Sequence, residues 1–421
     1  MENRTLDDDI KNLLEHSIGY SRSSRQCEKL SDLDYLHTHI KRVIGKKYSS
    51  GRDYIQSIKD DQNSQTIPKT SYFTSLQSTR RRDMASECEQ ALYKIINLDL
   101  RKNGIDHFKK FPELDGFDIT SYDGHYKKHA CHAPKDDKGH YRAVGGIYGM
   151  EMRTGVIQSL ITTDFTVNKT HELRAFKKAF SSKSEKAKKM ICLVDMAYWD
   201  GPYWDEMKDH EKRGMYIITL MRENLSPIKE TAIEFDKDHP YNIGIKSKSI
   251  VTFKSKAEVT KIVYCDPETG KEYTYLTTLS GIEPGLIAHL YLWRWKIEKV
   301  FDVLKNKFGE TKAWADGKVA TDIQASIIAM AYNILLKNQE ITLAKEGVYE
   351  IKLSKKQAKV IKRRKEKAEK NGLKMNPLSE IPHTMYQMSV QYIRCFENHL
   401  RQKTPWKELI PHFKEAMASY L

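Results

Sequence analysis

The chain has 421 residues, of which 39% are hydrophobic and 10% aromatic. This length predicts two or three domains, and this composition suits a folded core and excludes a disordered chain. Lysine and arginine total 71 against 56 acidic residues, a formal net charge of +15, which favours a polyanionic partner, nucleic acid first and an anionic membrane second.

Other classes of protein are disfavoured by what the sequence lacks. We find no run of about 18 apolar residues, so no membrane span is expected. The start, MENRTLDDDIKNLLEHS, is acidic and has no apolar core of a secretion signal. The six cysteines are scattered singly, which predicts reduced thiols in a cytosolic protein rather than disulfides or a paired zinc site.

The first part of the chain changes from a helical to a β-type pattern. Residues 1–110 have helical apolar spacing, seen in DDDIKNLLEHSI and CEQALYKIINLDLRK. Short β-type runs follow, interrupted after the third by one helix, THELRAFKKAFSSKSEKAKK. This order predicts a mixed sheet with helices on its faces. The five runs are 117–125, YRAVGGIYGMEM, GVIQSLITTDFTV, KMICLVDMAYW and GMYIITLMREN.

The remaining sequence is first β-rich and then helical. Residues 230–280 are alternating and turn-rich, with DPETGK as a hairpin turn, and predict a β insertion. Residues 321–338 are apolar on most sides and predict a buried helix. Residues 352–370 form a basic helical run, and one or two amphipathic helices are expected after it. We therefore divide the chain into regions 1–110, 111–228, 229–284, 285–345 and 346–421.

One predicted helix, YLWRWKIEKVFDVLK, has four different polar side chains along one side. They follow one another by three, four and seven residues, which aligns them on one stripe of an α-helix, with the apolar residues on the far side. An ordinary amphipathic helix with a solvated face explains this segregation but not the particular side chains. The four residues are Tyr291, Arg294, Glu298 and Lys305.

Two aspartates upstream each follow a strand-like run. Asp123 ends FDITSYD and Asp195 follows ICLV. An acid at the exit of a buried strand lies at the rim of a sheet, where α/β sites gather, although a lone aspartate more often begins a turn. With Glu298 they would form a cluster of three carboxylates. Such a cluster repels itself unless a hard cation such as Mg²⁺ joins it, and two ions about 4 Å apart can stabilise an in-line phosphoryl transfer.

The spacing Tyr-x2-Arg-x3-Glu-x6-Lys resembles the YREK signature of a group of DDE transposases from bacterial insertion sequences. DGH at 123–125 and LVDMAY at 193–198 resemble the two aspartate strands of that family, and YIITLMREN is similar to the strand after them. The resemblance spans about residues 120–340. The complete signature in this order, together with both aspartate strands, makes the resemblance specific.

The resemblance implies an α/β fold, namely an RNase H-like mixed sheet flanked by helices, with a β-rich insertion and helical N- and C-terminal regions. It implies cleavage of transposon ends by metal-activated water, followed by strand transfer by the freed 3′-hydroxyl. The implied ligands of two Mg²⁺ ions, for which Mn²⁺ can substitute, are Asp123, Asp195 and Glu298.

The resemblance also implies DNA as the partner, both the terminal inverted repeats of a transposon and the target. Tyr291, Arg294 and Lys305 would contact the transposon end, while Trp295 is a candidate for base stacking, with core packing an equal alternative. A homodimer would join the two ends, with the C-terminal helices as its expected interface. No membrane partner is expected, and the location would be the bacterial cytoplasm, at the nucleoid.

Several alternatives stay open at this point. Asp118 and Asp302 could replace Asp123 and Glu298, although the signature spacing favours the latter two. Arg80–Arg82 and the basic run could bind phosphates, and the first 110 residues are expected to recognise the end sequence. Rival functions are a nuclease of the same fold without strand transfer and a non-catalytic DNA-binding relative. A local cluster fits no common zinc spacing; its members are His125, His129, Cys131, His132 and His140.

Overall fold

The fold is given by a computed structural model of the chain. It describes residues 4–45, 48, 50–60, 67–135, 138–141, 143–162, 172–181, 189–209, 213–345, 355–380 and 390–418. In these residues, one mixed β-sheet of nine strands is preceded and followed along the chain by helices. The prediction of an α/β fold with helical terminal regions is therefore confirmed.

Helices make up the part of the chain before the first strand. Thr5 begins the first helix, since its hydroxyl accepts the Asp8 N–H while the Asp8 carboxylate accepts the Thr5 N–H. The helical segments predicted near both ends of this region are confirmed. The helices are α1 (Leu6–Ile18), α2 (Asp32–Ile44), α3 (Gly51–Asp60), α4 (Lys69–Ser75) and α5 (Thr79–Lys102).

The arginines at the start of α5 take part in the fold itself. Arg81 is 5% exposed, and its guanidinium binds the Asp32 carboxylate and the Leu30 carbonyl. Arg80 binds the same carboxylate at 3.1 Å. The prediction that this cluster contacts DNA phosphates is wrong for Arg81, because a buried guanidinium needs an internal acid to offset its desolvation.

The centre of the sheet has the RNase H-like order β3-β2-β1-β4-β5. Strand β1 is antiparallel to β2 but parallel to β4, which in turn is parallel to β5. Because parallel strands need a crossover, α6 (Glu172–Ser181) lies between β3 and β4 in the chain. The strands are β1 (Asp118–Lys127), β2 (Val144–Glu151), β3 (Ile157–Thr162), β4 (Met190–Val194) and β5 (Met215–Leu220).

All five strand-like runs of the sequence therefore form strands. The third run extends to residue 167, and its part beyond Thr162 lies outside the described residues. Of the predicted helix 170–189, residues 172–181 form α6, residues 170–171 and 182–188 lie outside the described residues, and Lys189 is not helical.

The predicted β insertion is confirmed as β structure, and it extends the central sheet. Its last strand pairs antiparallel with β5, so the sheet continues as β9-β8-β7-β6. The predicted turn DPETGK joins β8 to β9, with the Gly270 N–H donating to the Asp266 carbonyl at 2.8 Å. The added strands are β6 (Lys229–Ala232), β7 (Ile245–Thr252), β8 (Glu258–Cys265) and β9 (Glu272–Thr277).

Three helical segments follow the insertion and pack against the sheet. The helices α8 (Pro284–Arg294) and α9 (Lys296–Asp302) are nearly continuous, and a π-helical turn spans Val303–Lys307. They follow α7 (Gly201–Met207), which lies between β4 and β5 in the chain. The main hydrophobic core joins α8, α9 and the N-terminal helices with one face of the sheet.

The long helix α10 (Lys318–Lys345) crosses this core, as predicted from its apolar sequence. Its segment Lys318–Ile341 is long and apolar enough to cross a bilayer, but 89% of its most apolar window is buried inside the fold. Packing against α5, α2 and β3 therefore accounts for its composition.

The C-terminal region is helical, as predicted, with α11 (Lys355–Lys370), α12 (Val390–Gln402) and α13 (Trp406–Ala418). The start of α13 returns to α1, because the Trp406 N–H donates to the Arg4 carbonyl at 3.0 Å. The boundaries of the five predicted regions stay predictions.

The side chain of Asn333 on α10 forms hydrogen bonds with the backbone of β3, at the edge of the sheet. Its side-chain carbonyl accepts the Ile157 N–H at 2.8 Å, and its amide donates to the Ile157 carbonyl at 2.7 Å. Ile157 begins β3, an edge strand whose outward groups would otherwise be buried without partners.

We expect Asn333→Ala to lower the free energy of unfolding by about 2–4 kcal/mol, because two buried backbone groups lose their partners. Urea unfolding at fixed pH measures the loss. Asn338→Ala is the matched control: its side chain donates to the Ile334 carbonyl of its own helix, and its loss should stay below about 1 kcal/mol. Equal losses in the two variants would contradict this role for Asn333.

Candidate active site

The two aspartates predicted from the strand-like runs end up side by side. Strands β1 and β4 are parallel, with Tyr122 opposite Val194. The next residue on β1 is Asp123, and the residue that follows β4 is Asp195. Parallel register therefore brings residues more than 70 positions apart in the sequence to the same end of the sheet.

Asp195 marks the point where β4 ends. Its carboxylate accepts the Met196 N–H at 2.6 Å, at the start of a short 3₁₀ turn over Met196–Tyr198. This is the turn-initiating role that a lone aspartate often has. The side chain is half-exposed and caps this turn.

The predicted helix over 291–305 is interrupted in two places. At Trp295 the backbone stays in the right-handed helical region (φ −57°, ψ −12°) but departs from regular α-helix, so Arg294 ends α8 and Glu298 lies in the first turn of α9. Lys305 lies in the π-helical turn, which shifts its direction from that of a regular α-helix. Arg294 and Glu298 still make the contact expected of residues four apart on one side of a helix, and the π-helical turn alters the predicted stripe at Lys305.

Arg294 connects two of the three acids. One terminal nitrogen, Nη1, donates to Asp123 Oδ2 at 3.4 Å, and the other, Nη2, donates to Glu298 Oε1 at 3.1 Å. Glu298 is half-exposed, whereas Arg294 is only 5% exposed. Burial opposes the charge of the guanidinium, but Tyr291 and the three carboxylates outweigh burial and raise the pKa of Arg294 above its ordinary value.

Asp123 holds its proton more readily than an ordinary aspartate. Burial raises its pKa to about 6, and the charges of Glu172 and Asp195 act in the same direction. The Gly124 N–H, which donates to Asp123 Oδ1 at 2.8 Å, and the Arg294 guanidinium oppose this rise. The Arg294 guanidinium therefore offsets burial and the neighbouring acids only in part, which is a setting in which further positive charge, such as a bound cation, is stabilised.

Glu172 is a fourth acid of this neighbourhood that the sequence did not single out. It begins α6, and its Oε1 would lie 2.6 Å from a Cβ built on Gly124. Only glycine therefore fits beside Asp123 without moving Glu172 or the Tyr126 ring, which a Cβ would meet at 2.8 Å. The glycine of the DGH motif was the one available signal that another group comes close to this strand.

The other residues predicted to bind DNA have different surroundings. Tyr291 is 2% exposed, and its ring centre lies 5.2 Å from that of Tyr275 on β9. Trp295 is 56% exposed beside Arg294, whose guanidinium carbon is 5.7 Å from its ring centre. Lys305 is exposed. The DNA contacts of these three residues stay predictions. In the structure, protein atoms surround Tyr291.

The donor set suits a hard divalent cation in its chemistry, since every candidate ligand is a carboxylate oxygen. Within the described residues, no group of three or more His, Cys, Asp and Glu side chains is close enough to hold a metal ion. The Arg294 guanidinium lies between Asp123 and Glu298 and binds both. Arg294 binds one oxygen of each, Asp123 Oδ2 and Glu298 Oε1, so the other oxygen of each carboxylate is the one that would hold an ion.

Asp118 and Asp302, the alternatives to Asp123 and Glu298, have other positions and contacts. Asp118 begins β1, five residues before Asp123 and thus about 16 Å away along the strand. Asp302 is exposed and accepts the Asn306 amide at 2.5 Å.

The histidine cluster does not form a metal site among the residues described. His125 is 1% exposed, and its ring stacks on Phe301 with 5.0 Å between ring centres. Burial, with Lys127 and Lys305 nearby, lowers the pKa of His125 to about 3. These surroundings make His125 a neutral imidazole that packs in the core.

The central part of the chain matches a known protein family. The model of the family described as "Transposase DDE domain" matches residues 114–334, just over half of the 421 residues. The match begins just before β1 and ends within α10, so it includes all three acids. No curated protein matches the chain.

We expect Arg294→Met to raise the pKa of Asp123 from about 6 by about one unit, because the nearest opposing positive charge is lost. Carboxyl NMR titration of ¹³C-labelled aspartate, without divalent metal, measures the change. Arg222→Met is the control, since that guanidinium donates to the Met196 carbonyl at 2.7 Å and should leave Asp123 unchanged. A pKa that stays at its original value in Arg294→Met would contradict the proposed electrostatic role.

Proposed function

The chain belongs to the family of DDE transposases, which act on DNA, and we propose that it cuts transposon ends and joins them to target DNA. In this proposal Asp123, Asp195 and Glu298 hold two divalent ions, Mg²⁺ by preference, with Mn²⁺ as a substitute. The freed 3′-hydroxyl of the cut end is the nucleophile of strand transfer.

The observation that carries the proposal is the convergence of charge at one end of the sheet. Parallel strands present two acids there, and Arg294 ties one of them to Glu298 on the following helix. Asp195 also acts on the charge of both Asp123 and Arg294. Two acids thus bind the guanidinium of Arg294, and a third acts on its charge.

Each residue then has a defined part in phosphoryl transfer. The carboxylates orient the ions, which supply an activated water and stabilise the attacking and leaving oxygens. Arg294 keeps Asp123 and Glu298 in place before DNA and metal arrive, and its predicted contact with the transposon end remains part of the proposal. Lys305, exposed one helical segment further on, holds a DNA phosphate and neutralises its charge.

The proposal extends to the assembly that the reaction requires. Two transposon ends must be brought together, so we propose a homodimer that binds both ends, in the bacterial cytoplasm at the nucleoid. The excess of basic residues, +15 over the chain, supports binding to the DNA backbone.

We expect Glu298→Ala to reduce cleavage of end DNA at least about 100-fold, because a proposed metal ligand is lost. Losing a residue that only hydrogen-bonds to a metal ligand usually costs about 10- to 100-fold. Binding of the same DNA should be largely kept, because DNA contacts lie on other residues. Cleavage is measured on labelled end DNA with Mg²⁺ or Mn²⁺, and binding by fluorescence anisotropy without metal.

The matched control is Asp302→Ala, which removes an exposed acid four residues further along the same segment. It should cleave like the original chain. Normal cleavage by Glu298→Ala would refute the assigned site.

A second experiment separates a transposase from a nuclease of the same fold. We expect pre-cut end DNA with a free 3′-hydroxyl, supplied with a target plasmid and Mg²⁺, to give joined product. End DNA with a 3′-deoxy terminus is the control and should give none, because the nucleophile is missing. Nicked plasmid without joined product would favour the nuclease.

A further inference from the structure

A cavity of about 420 Å³ lies beside the proposed active site. One wall is the connection that follows β1, with Lys128, His129 and Tyr141. The other wall is the segment that follows α9, with Lys305 and Glu310. Its volume falls in the range of small-molecule sites in proteins.

The two walls are joined by backbone hydrogen bonds. The Lys128 N–H donates to the Thr311 carbonyl at 2.9 Å, and the Ala313 N–H donates to the Lys128 carbonyl at 2.8 Å. Lys127 binds Glu310 beneath them in a buried ion pair. The two walls are therefore fixed to each other, and the charge of Lys127 is balanced by Glu310.

The positive charge that remains lies at the exposed rim. Lys128 and Lys305 both line the cavity and are both exposed. The charge of Lys305 also reaches the interior, where it helps to lower the pKa of buried His125. Two ammonium groups on opposite walls suit a phosphate that enters between them.

An aromatic pair forms the outer part of the first wall. The rings of His129 and Tyr141 are stacked, with 3.8 Å between their centres and 13° between their planes. His129 Nδ1 donates to the Ala130 carbonyl at 2.7 Å, which fixes the ring. Tyr141 is nevertheless 47% exposed, and the Lys135 ammonium lies 5.2 Å from its ring centre. An exposed aromatic pair held in place is a platform for a further flat ring.

The cavity is continuous with the catalytic neighbourhood. Tyr126 lines it, and burial together with the charges of Glu172 and Asp123 raises the pKa of its phenol. Lys305 belongs both to the cavity and to the signature of the sequence. A ligand in the cavity therefore lies next to the carboxylates proposed to bind metal.

We propose that this cavity binds one unpaired nucleotide of single-stranded DNA, with its base on the Tyr141–His129 stack and its phosphate between Lys128 and Lys305. Paired bases inside a duplex offer no free face, so the ligand is an unpaired one. The inference rests on the proposed function, since it names how that same site holds a DNA strand near the point of cleavage.

The test compares blunt duplex DNA with the same duplex carrying a short single-stranded tail, measured by fluorescence anisotropy without divalent metal. We expect the original chain to prefer the tailed DNA. Tyr141→Ala should weaken binding of tailed DNA about tenfold and leave blunt DNA unchanged, because one base loses its stacking partner. Tyr141→Phe keeps the ring and should bind like the original chain.

Abasic tails separate the two parts of the pocket. On a tail that keeps its phosphates but has no bases, Tyr141→Ala should have no effect, because there is nothing to stack. Lys128→Ala should still weaken binding there and reduce the slope of log K against log salt by about 0.7. Tyr20→Ala, which removes another exposed tyrosine lying against a histidine, should leave the preference for tails unchanged.

The outcomes distinguish this inference from the proposed function. Equal losses of Tyr141→Ala on tailed, blunt and abasic DNA, or no loss on any of them, would overturn the pocket while cleavage by the original chain still upheld the transposase. Absence of DNA binding by the original chain would overturn both.

Discussion

The site depends on one buried cation that balances several carboxylates. Asp123, Asp195 and Glu298 come from a strand, a strand end and a helix, and without a positive charge among them their repulsion would push these elements apart. The planar guanidinium of Arg294 satisfies two of them through separate nitrogens, which a lysine ammonium cannot do in the same geometry. Burying Arg294 is costly by itself, so the acids and the arginine require each other.

The extension of the sheet makes this burial possible. Strand β9 pairs with β5 and brings Tyr275 against Tyr291, one turn before Arg294 on α8. The approach of α8 is close at Gly285, where a Cβ would lie 1.7 Å from the Tyr241 carbonyl oxygen. The insertion therefore acts as a wall that excludes water from α8. In that environment the charge of Arg294 acts more strongly on the neighbouring acids than it would in water.

The sequence was sufficient to predict the order of helices and strands. It was insufficient to predict where a helix departs from regular α-helical geometry. Alternating and apolar runs identified the strands, and the position of Asp195 just after β4 followed from them, whereas β1 continues past Asp123 to Lys127, so the expectation that Asp123 ends its strand is wrong. The departures from regular α-helix at Trp295 and over Val303–Lys307 carry no proline or glycine signal, since tertiary packing decides them. Glu172 was missed for another reason: its proximity to Asp123 arises from the placement of α6 on the sheet, which no local spacing records.

The net charge does not show which of the basic residues are available to bind DNA. Lys296, two residues after Arg294, is directed into the core, where its ammonium lies 3.5 Å from the Trp293 ring centre. Burial lowers its pKa to about 7, against the opposing charge of Glu340 on α10. Arg81 and Lys127 are likewise buried with acids. These cations hold helices and strands together, so the surplus that can meet DNA lies on exposed side chains. The net charge predicts the class of partner, and only burial identifies which residues are able to bind it.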